Sequence, residues 1–354
     1  MILTVTTLKD TLPNVQRFVA GNLAGGIDHL IVFLDAADPE VESWLTAQPD
    51  VTLVVTDRSW WNGERPRLLN RRQRLNANLA RAVLTRVEGA EWLFHLDADE
   101  IARIDRAELA AVPADAPAVN LRPLEVVSQL RPAGEPRLFK RLLEEPDLLL
   151  LEALGVLDEP DNDRYFRSHI AGKVGVRPRL DVWLGIHKAV DHADDRLPLH
   201  RSPGLEMLHL ESYSGEEFVR KWTAMIGSGP RMNFGEHRMK LATALKAVVT
   251  KDLAPEEAAH FLTAIYERHM QDPVDVLSRL GLLTEVDPLS GDHRPERLPQ
   301  EQSERLRSLL EALRGEDKWQ FLPERAGAAE VTATMDRIAG RPSGSGRRGL
   351  FRRS

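Results

Sequence analysis

The sequence predicts an α/β protein with a mostly parallel sheet flanked by helices and a helical C-terminal extension, and three observations carry that expectation. Short β-branched and apolar runs alternate with segments of helical periodicity from Ile2 to Leu96. Those runs are apolar on both sides, as strands covered on both faces are. Beyond Trp222 apolar residues recur at helical spacing, with charged residues opposite them.

Ile2 to Thr6 reads as the first strand, with Leu8-Lys9-Asp10 as the loop beyond it. Pro13 to Leu23 follows as a helix: Val15, Phe18, Val19 and Leu23 fall near helical spacing, and Gly25-Gly26 stops it. His29 to Leu34 and Val51 to Val55 are the second and third strands, ending at Asp35 and Asp57. A helix from Asn70 to Thr85 carries Arg71, Arg72, Gln73, Asn76 and Asn78 and leads into a fourth strand, Trp92 to Leu96. Right-handed crossovers make such strands parallel, so their acids collect at one carboxyl edge. Open α/β sheets bind ligands there.

The densest acids follow the fourth strand, in Leu96-Asp97-Ala98-Asp99-Glu100-Ile101. Asp97 and Asp99, two apart on an extended chain, point the same way and can share a hard divalent cation with a phosphate-bearing ligand. An acidic strand-to-loop turn is the alternative. Neither the dinucleotide fingerprint G-x-G-x-x-G after the first strand nor a P-loop is found, so a nucleotide here would be held by carboxylates and a metal.

Composition narrows the chemistry. At 354 residues, with 42% hydrophobic and 29% charged residues, the chain can bury a large core as one big domain or two smaller ones. A formal net charge of -7 argues against a nucleic-acid partner. With no cysteine, disulfides, thiolate metal sites and cysteine nucleophiles are excluded, and an acid or base must be Asp, Glu or His. Met1 to Thr7 lacks the basic start and long apolar core of a signal peptide, and no apolar run approaches a transmembrane segment; the expected location is cytoplasmic.

The order of these motifs resembles the family 2-like glycosyltransferases of the GT-A fold, in the subgroup with a D-x-D-E motif. The resemblance spans roughly residues 1 to 225. It rests on Leu8-Lys9-Asp10, Asp35, the Arg72-Gln73 to Asn76 helix, Asp97-Ala98-Asp99-Glu100, Gly172-Lys173-Val174-Gly175-Val176-Arg177, Gly185-Ile186-His187, and His209 followed by Ser214, Phe218 and Lys221. Two positions depart from the pattern: Asp10 stands where relatives have Asn-Glu after the Lys, and Leu210 follows His209 where an aromatic is common.

The resemblance implies a GT-A-type, Rossmann-like sheet and transfer of a sugar from a nucleotide-sugar donor, UDP-sugar by default, to a glycan or other hydroxyl acceptor. It implies Mn²⁺ or Mg²⁺ held by Asp99 and His209, with Asp97 sharing the ion or reaching the ribose. Leu8, Lys9, Asp10, Asp35, Arg72, Gln73, Asn76 and Asp97 would contact the donor. Asp35 also reads as part of a helix start at Asp38-Pro39, and His209 as a strand-end histidine with a local hydrogen bond. Lys173, Trp183 and His187 map to the acceptor side, where Trp183 is either a platform for a sugar ring or a core residue. An inverting transfer needs a carboxylate base; Glu100, Asp191 and Glu211 are the candidates, and the sequence does not choose among them.

Two other classes compete. A haloacid-dehalogenase-type phosphotransferase expects its acids after the first strand and Thr or Val two residues past the second Asp, where this chain has Ile101. A non-catalytic binding module on the same fold is the other. Within the C-terminal part, Glu236 to Val249, Pro255 to Gln271 and Gln300 to Leu313 read as helices. The expected division is 1–225 for donor and acceptor, 226–338 for the helical extension, and 339–354 for a disordered tail whose arginines around Leu350-Phe351 could meet an anionic surface.

Overall fold

The computed structural model describes residues 1–36, 38–227 and 236–340, the side chains of 225–227 and 236–239 excepted. Strands β1 (Ile2–Leu8), β2 (His29–Leu34), β3 (Val51–Val55) and β4 (Trp92–His95) alternate with helices α1 (Leu12–Ala24), α2 (Pro39–Thr46) and α3 (Leu69–Leu84). β1 lies between β2 and β4, β3 flanks β2, and all three pairings are parallel. Every residue of β1 and β2 is buried. Successive side chains serve opposite layers: Leu3, Val5, Ile31 and Phe33 pack with α3, whereas Ile2, Leu30, Val32 and Leu34 pack with α1 and α2. Two-sided burial is the reason these strands read as apolar runs.

The next elements are β5 (Glu100–Ile104), α4 (Arg106–Ala110), β6 (Ala118–Val126), β7 (Leu138–Lys140), α5 (Glu145–Ala153), α6 (Asn162–Tyr165) and β8 (Lys173–Val176). β9 (Trp183–Leu184) and β10 (Ala189–Val190) form a separate antiparallel ribbon, and β11 (His200–His209) returns to the main sheet. β8 joins β4 to β6, antiparallel to both. β7 extends β6 antiparallel, while β11 runs parallel to β6 and antiparallel to β5.

From β4 to β5 the hydrogen-bonded path therefore runs through β8, β6 and β11, a distance of roughly 19 Å in a flat sheet. Yet only residues 96–99 separate the two strands, and they close a turn in which Glu100 N–H donates to the Asp97 carbonyl at 3.1 Å. The sheet has to curl, and the curl brings the acidic turn against the end of β11.

The C-terminal helices α7 (Gly215–Gly227), α8 (Glu236–Val249) and α9 (Pro255–His269) share a core of Phe218, Trp222, Leu245, Leu262 and Tyr266. α10 (Val274–Arg279) leads to β12 (Leu283–Glu285), an edge strand antiparallel to β7 that helical spacing did not reveal. α11 (Gln300–Ala312) and α12 (Ala328–Ala339) insert Leu306, Leu309, Val331 and Met335 into the layer built by α3. Each such side chain, fully buried, contributes about 1.5–3 kcal/mol relative to exposure. No helix among the described residues is long and apolar enough to cross a membrane. From 341 onward the basic tail lies outside the described residues.

The stop after α1 also has a packing reason. Gly26 takes a left-handed conformation (φ 112°), while a Cβ on Gly25 would lie 1.8 Å from the Ala102 carbonyl oxygen of β5. Gly25→Ala is expected to lower the unfolding free energy by about 1–3 kcal/mol or more in urea denaturation, since backbone must move. Gly315→Ala, where a Cβ meets open space, serves as the control and is expected to change it little.

Candidate active site

The D-x-D-E turn folds on itself. Glu100 Oε2 accepts a hydrogen bond from the Asp97 N–H at 2.7 Å. The Leu210 N–H, just past β11, donates to the Asp99 carbonyl at 2.8 Å, which fastens the turn to the strand carrying His209. His209 Nε2 thereby lies 3.8 Å from Asp99 Oδ2 and 3.5 Å from Glu211 Oε2.

Hydrogen bonding behind His209 sets which nitrogen faces the acids. Burial pushes the Glu125 carboxyl up, but the Lys140 ammonium 2.7 Å away outweighs it and keeps Glu125 ionised. An ionised carboxylate can only accept. Ser168 Oγ therefore donates to Glu125 at 2.5 Å, and its oxygen accepts from His209 Nδ1–H at 2.9 Å. Nε2 is left to face Asp99 and Glu211.

Among the described residues two sets of donor atoms each lie within 4.8 Å of one another: Asp99, His209 and Glu211; and Glu100, His169 and His209. Two carboxylates and an imidazole suit a divalent ion such as Mn²⁺, and the absence of sulfur disfavours softer ions. Burial raises the Asp99 carboxyl, but Lys221 and His209 outweigh it and hold the group well below the ordinary range. For His209 burial lowers the value, while Asp99 and Glu211 push it up to about 10. Asp99 thus stays ionised at mildly acidic pH, with the positive charges of Lys221 and protonated His209 set against it.

Asp97 is part of the same turn with different neighbours. Its Oδ1 accepts from Gln73 Nε2 at 2.5 Å and its Oδ2 from Lys173 Nζ at 2.6 Å. Burial would raise its carboxyl, but Lys173 dominates and brings it down to about 2. Along the same edge Asp35 receives Arg72 through two nitrogens, at 2.9 and 2.7 Å, and Arg65 at 3.1 Å. The helix-start alternative belongs to Asp38, whose Oδ1 caps Glu40 and Val41, and not to Asp35. Leu8 is buried at the end of β1, Lys9 is exposed beyond it, and Asp10 Oδ1 accepts from Arg220 Nη2 at 2.8 Å.

Several expected roles give way to other ones. Asn76 is buried and donates to Thr7 Oγ1 at 2.9 Å, so it ties α3 to β1 and does not reach a donor. Trp183 is wholly buried with the Arg81 guanidinium 5.0 Å from its ring, which rules out a sugar platform and leaves the core reading. Lys173, also wholly buried, is the counter-ion of Asp97 and Glu100 and offers nothing to an acceptor. Glu100 is sealed beneath the turn, where burial pushes its carboxyl up to about 7. Asp191 Oδ1 closes a turn by accepting from the Ala193 and Asp195 N–H groups. Neither acid is presented as a base; Glu211 sits beside Asp99 and His209.

His187 remains half-buried at the cleft: Nδ1 lies 2.9 Å from the Gly172 carbonyl, and its ring packs 4.1 Å from that of His169. His169 and Ser168 escaped the sequence reading because they lie in a loop with no periodicity. Lys221 was visible only as a motif residue. It follows Phe218 by three residues on α7, and Ser214, four before Phe218, caps the helix by accepting from the Glu217 N–H.

Neither a family model nor a curated protein matches the chain. Among solved structures it is similar to that of the galactosyltransferase LgtC in complex with donor and acceptor sugar analogues, at 14% identity and TM-score 0.25, over 50% of this chain and 58% of that one. It is also similar to the apo-form glycosyltransferase GlyE of Streptococcus pneumoniae TIGR4, at 11% identity and TM-score 0.22, over 97% of this chain and 65% of that one. The chain spans less than two thirds of the length of either protein.

The electrostatics give a signed pH dependence for the metal-free protein. A histidine raised from 6.5 in the unfolded chain to about 10 in the folded one stabilises fully below 6.5, and that contribution is lost as pH rises through about 10. Glu100, raised from 4.5 to about 7, removes stability over its own lower window. In EDTA, urea midpoints are therefore expected to fall steadily as pH rises from about 6.5 toward about 10, and His209→Asn to flatten that fall.

Proposed function

We propose that the chain is a metal-dependent glycosyltransferase, moving a sugar from a nucleotide-sugar donor, UDP-sugar by default, to a hydroxyl of a glycan or other acceptor. The observation that carries this reading is the meeting of the D-x-D-E turn with His209 at the carboxyl edge of the parallel strands. Acids and an imidazole converge there, beside the strand ends where an α/β sheet receives a nucleotide. Asp99 and His209, with Glu211, would hold the ion, and Mn²⁺ fits an imidazole-containing set better than Mg²⁺. A divalent ion supplies Lewis acidity against the charge that builds on a departing diphosphate.

The surrounding residues have roles consistent with that chemistry. Asp97, kept ionised by Lys173 and oriented by Gln73, faces the ribose or shares the ion. Asp35, fixed by Arg72 and Arg65, is the acid for the base or ribose. His187 and His169 border the acceptor side as neutral rings, since burial lowers both, His187 to about 4. The phosphotransferase alternative is not favoured, because the D-x-D motif closes β4 and not β1.

UDP with Mn²⁺ is expected to raise the melting temperature, by the equivalent of about 2.7 kcal/mol when UDP is present at a hundredfold its Kd. Asp99→Ala should abolish that gain while keeping the metal-free fold, because it removes a ligand and leaves the buried strand intact. A screen of nucleotide sugars for Mn²⁺-dependent hydrolysis or transfer then identifies the donor. A folded Asp99→Ala protein with unchanged Mn²⁺-dependent UDP affinity would sink the metal assignment, and indifference to every nucleotide diphosphate and nucleotide sugar would sink the transferase reading.

A further inference from the structure

Two lysines neutralise the acids of the turn, and they are held in different ways. Lys173 Nζ sits 2.6 Å from Asp97 Oδ2 and 3.3 Å from Glu100 Oε2, with its side chain 0% exposed. Lys221 Nζ sits 2.5 Å from Asp99 Oδ2 and 3.1 Å from Glu211 Oε2, with its side chain 27% exposed. Those are the same two oxygens that His209 Nε2 faces at 3.8 and 3.5 Å. The ammonium of Lys221 therefore lies on the carboxylate oxygens that a divalent ion beside His209 would need. Two positive charges cannot share them in a partly buried site without strong repulsion.

Lys173 has no route out, its side chain being wholly buried against Asp97 and Glu100. Lys221 does have one: a flexible stem, three rotatable donors and an exposed flank on α7. Its helix is anchored independently of it, by Phe218 and Trp222 in the core with α8 and α9, and by Arg220 on Asp10 and Glu217 on Asn14. The head group can swing without dislodging the helix.

We propose that Lys221 is an internal counter-ion for the Asp99–Glu211 pair, occupying the cation position in the metal-free protein and withdrawing toward the cleft when a divalent ion binds. The proposal rests on the metal reading above and adds to it a competition: the protein brings its own cation, so the metal binds only by exchange. Cation affinity is then set by the lysine as much as by the ligands. Loading exchanges the ammonium on the oxygens, and the Nε2 proton of His209, for the two charges of the ion, so the net charge of the site changes little.

The test is direct Mn²⁺ binding by the full chain without nucleotide, read from the loss of the free-ion electron paramagnetic resonance signal. Lys221→Met, which keeps the stem and removes the charge, is expected to bind Mn²⁺ about tenfold tighter than wild type or more, the size of one charge-assisted hydrogen bond no longer displaced. Lys221→Arg, which keeps the charge, is expected to stay within about threefold of wild type. A second readout needs no variant: acetylation of Lys221 in wild-type protein, followed by mass spectrometry, should speed up when Mn²⁺ is added, as the ammonium leaves its carboxylates. Equal Mn²⁺ affinity in wild type and Lys221→Met, or Lys221 labelling that Mn²⁺ leaves unchanged or slows, overturns the exchange while leaving the metal site standing. Absence of Mn²⁺ binding in both proteins overturns the site and the exchange together.

Discussion

Carboxylates crowded at the seam between β4 and β5 are the constraint around which the second half of the molecule is organised. Asp97, Asp99 and Glu100 leave one short turn, and charges removed from water at that density require cations and hydrogen-bond donors close by. The chain supplies them from separate elements: Lys173 from β8, His209 from β11, Lys221 from α7. The pattern continues across the curled sheet. Glu100 pairs with His209, His209 with Glu125, and Glu125 with Lys140, so one row across four strands alternates acid and base. Lys140 in turn holds Asp272 at 3.0 Å, which anchors the segment before α10. Removing one member would leave a buried charge without its partner, a larger penalty than the pair's own contribution.

The parallel half was legible because its signals are local. Apolar runs bounded by acids, and helices with periodic apolar residues, fix β1 to β4, α1 and α3 within one or two residues, and parallel order then delivers Asp35, Asp97 and Asp99 to a common edge. The donor set around His209 was legible only through the order of motifs, since no local pattern says that β11 will return beside β5. Ser168 and His169 stayed hidden in an aperiodic loop. The misplaced roles share a cause: residue type announces chemistry but not exposure. Asn76, Lys173 and Trp183 carry groups suited to a ligand, and each is turned inward, to Thr7, to Asp97 and Glu100, and to Arg81.

Helix α7 links the cation cluster to the start of α1. Arg220 reaches Asp10, Glu217 accepts from Asn14 Nδ2 at 3.1 Å, and Arg17 approaches the Tyr213 hydroxyl at 3.4 Å. The loop after β1, the turn after β4 and the helix after β11 thus form one polar assembly. Asp10 is part of it, its carboxylate accepting from the Arg220 guanidinium of α7.

β11 is held by two ladders at once, and its register is interrupted between Arg201 and Glu206, where five positions on β11 span two on β6. Downstream of that bulge, Glu206 to His209 are locked against Arg103 to Glu100 on one side and Arg122 to Glu125 on the other. Strand side chains alternate with a period of two, so a single inserted residue after Glu206 would turn His209 to the opposite face. Upstream the two ladders part: Leu205 still pairs with Ile104 of β5, and Ser202 and Gly204 are fastened to Glu108, while the match to β6 is lost. The orientation of the histidine is therefore set by a run of four residues that two neighbouring strands clamp from both sides.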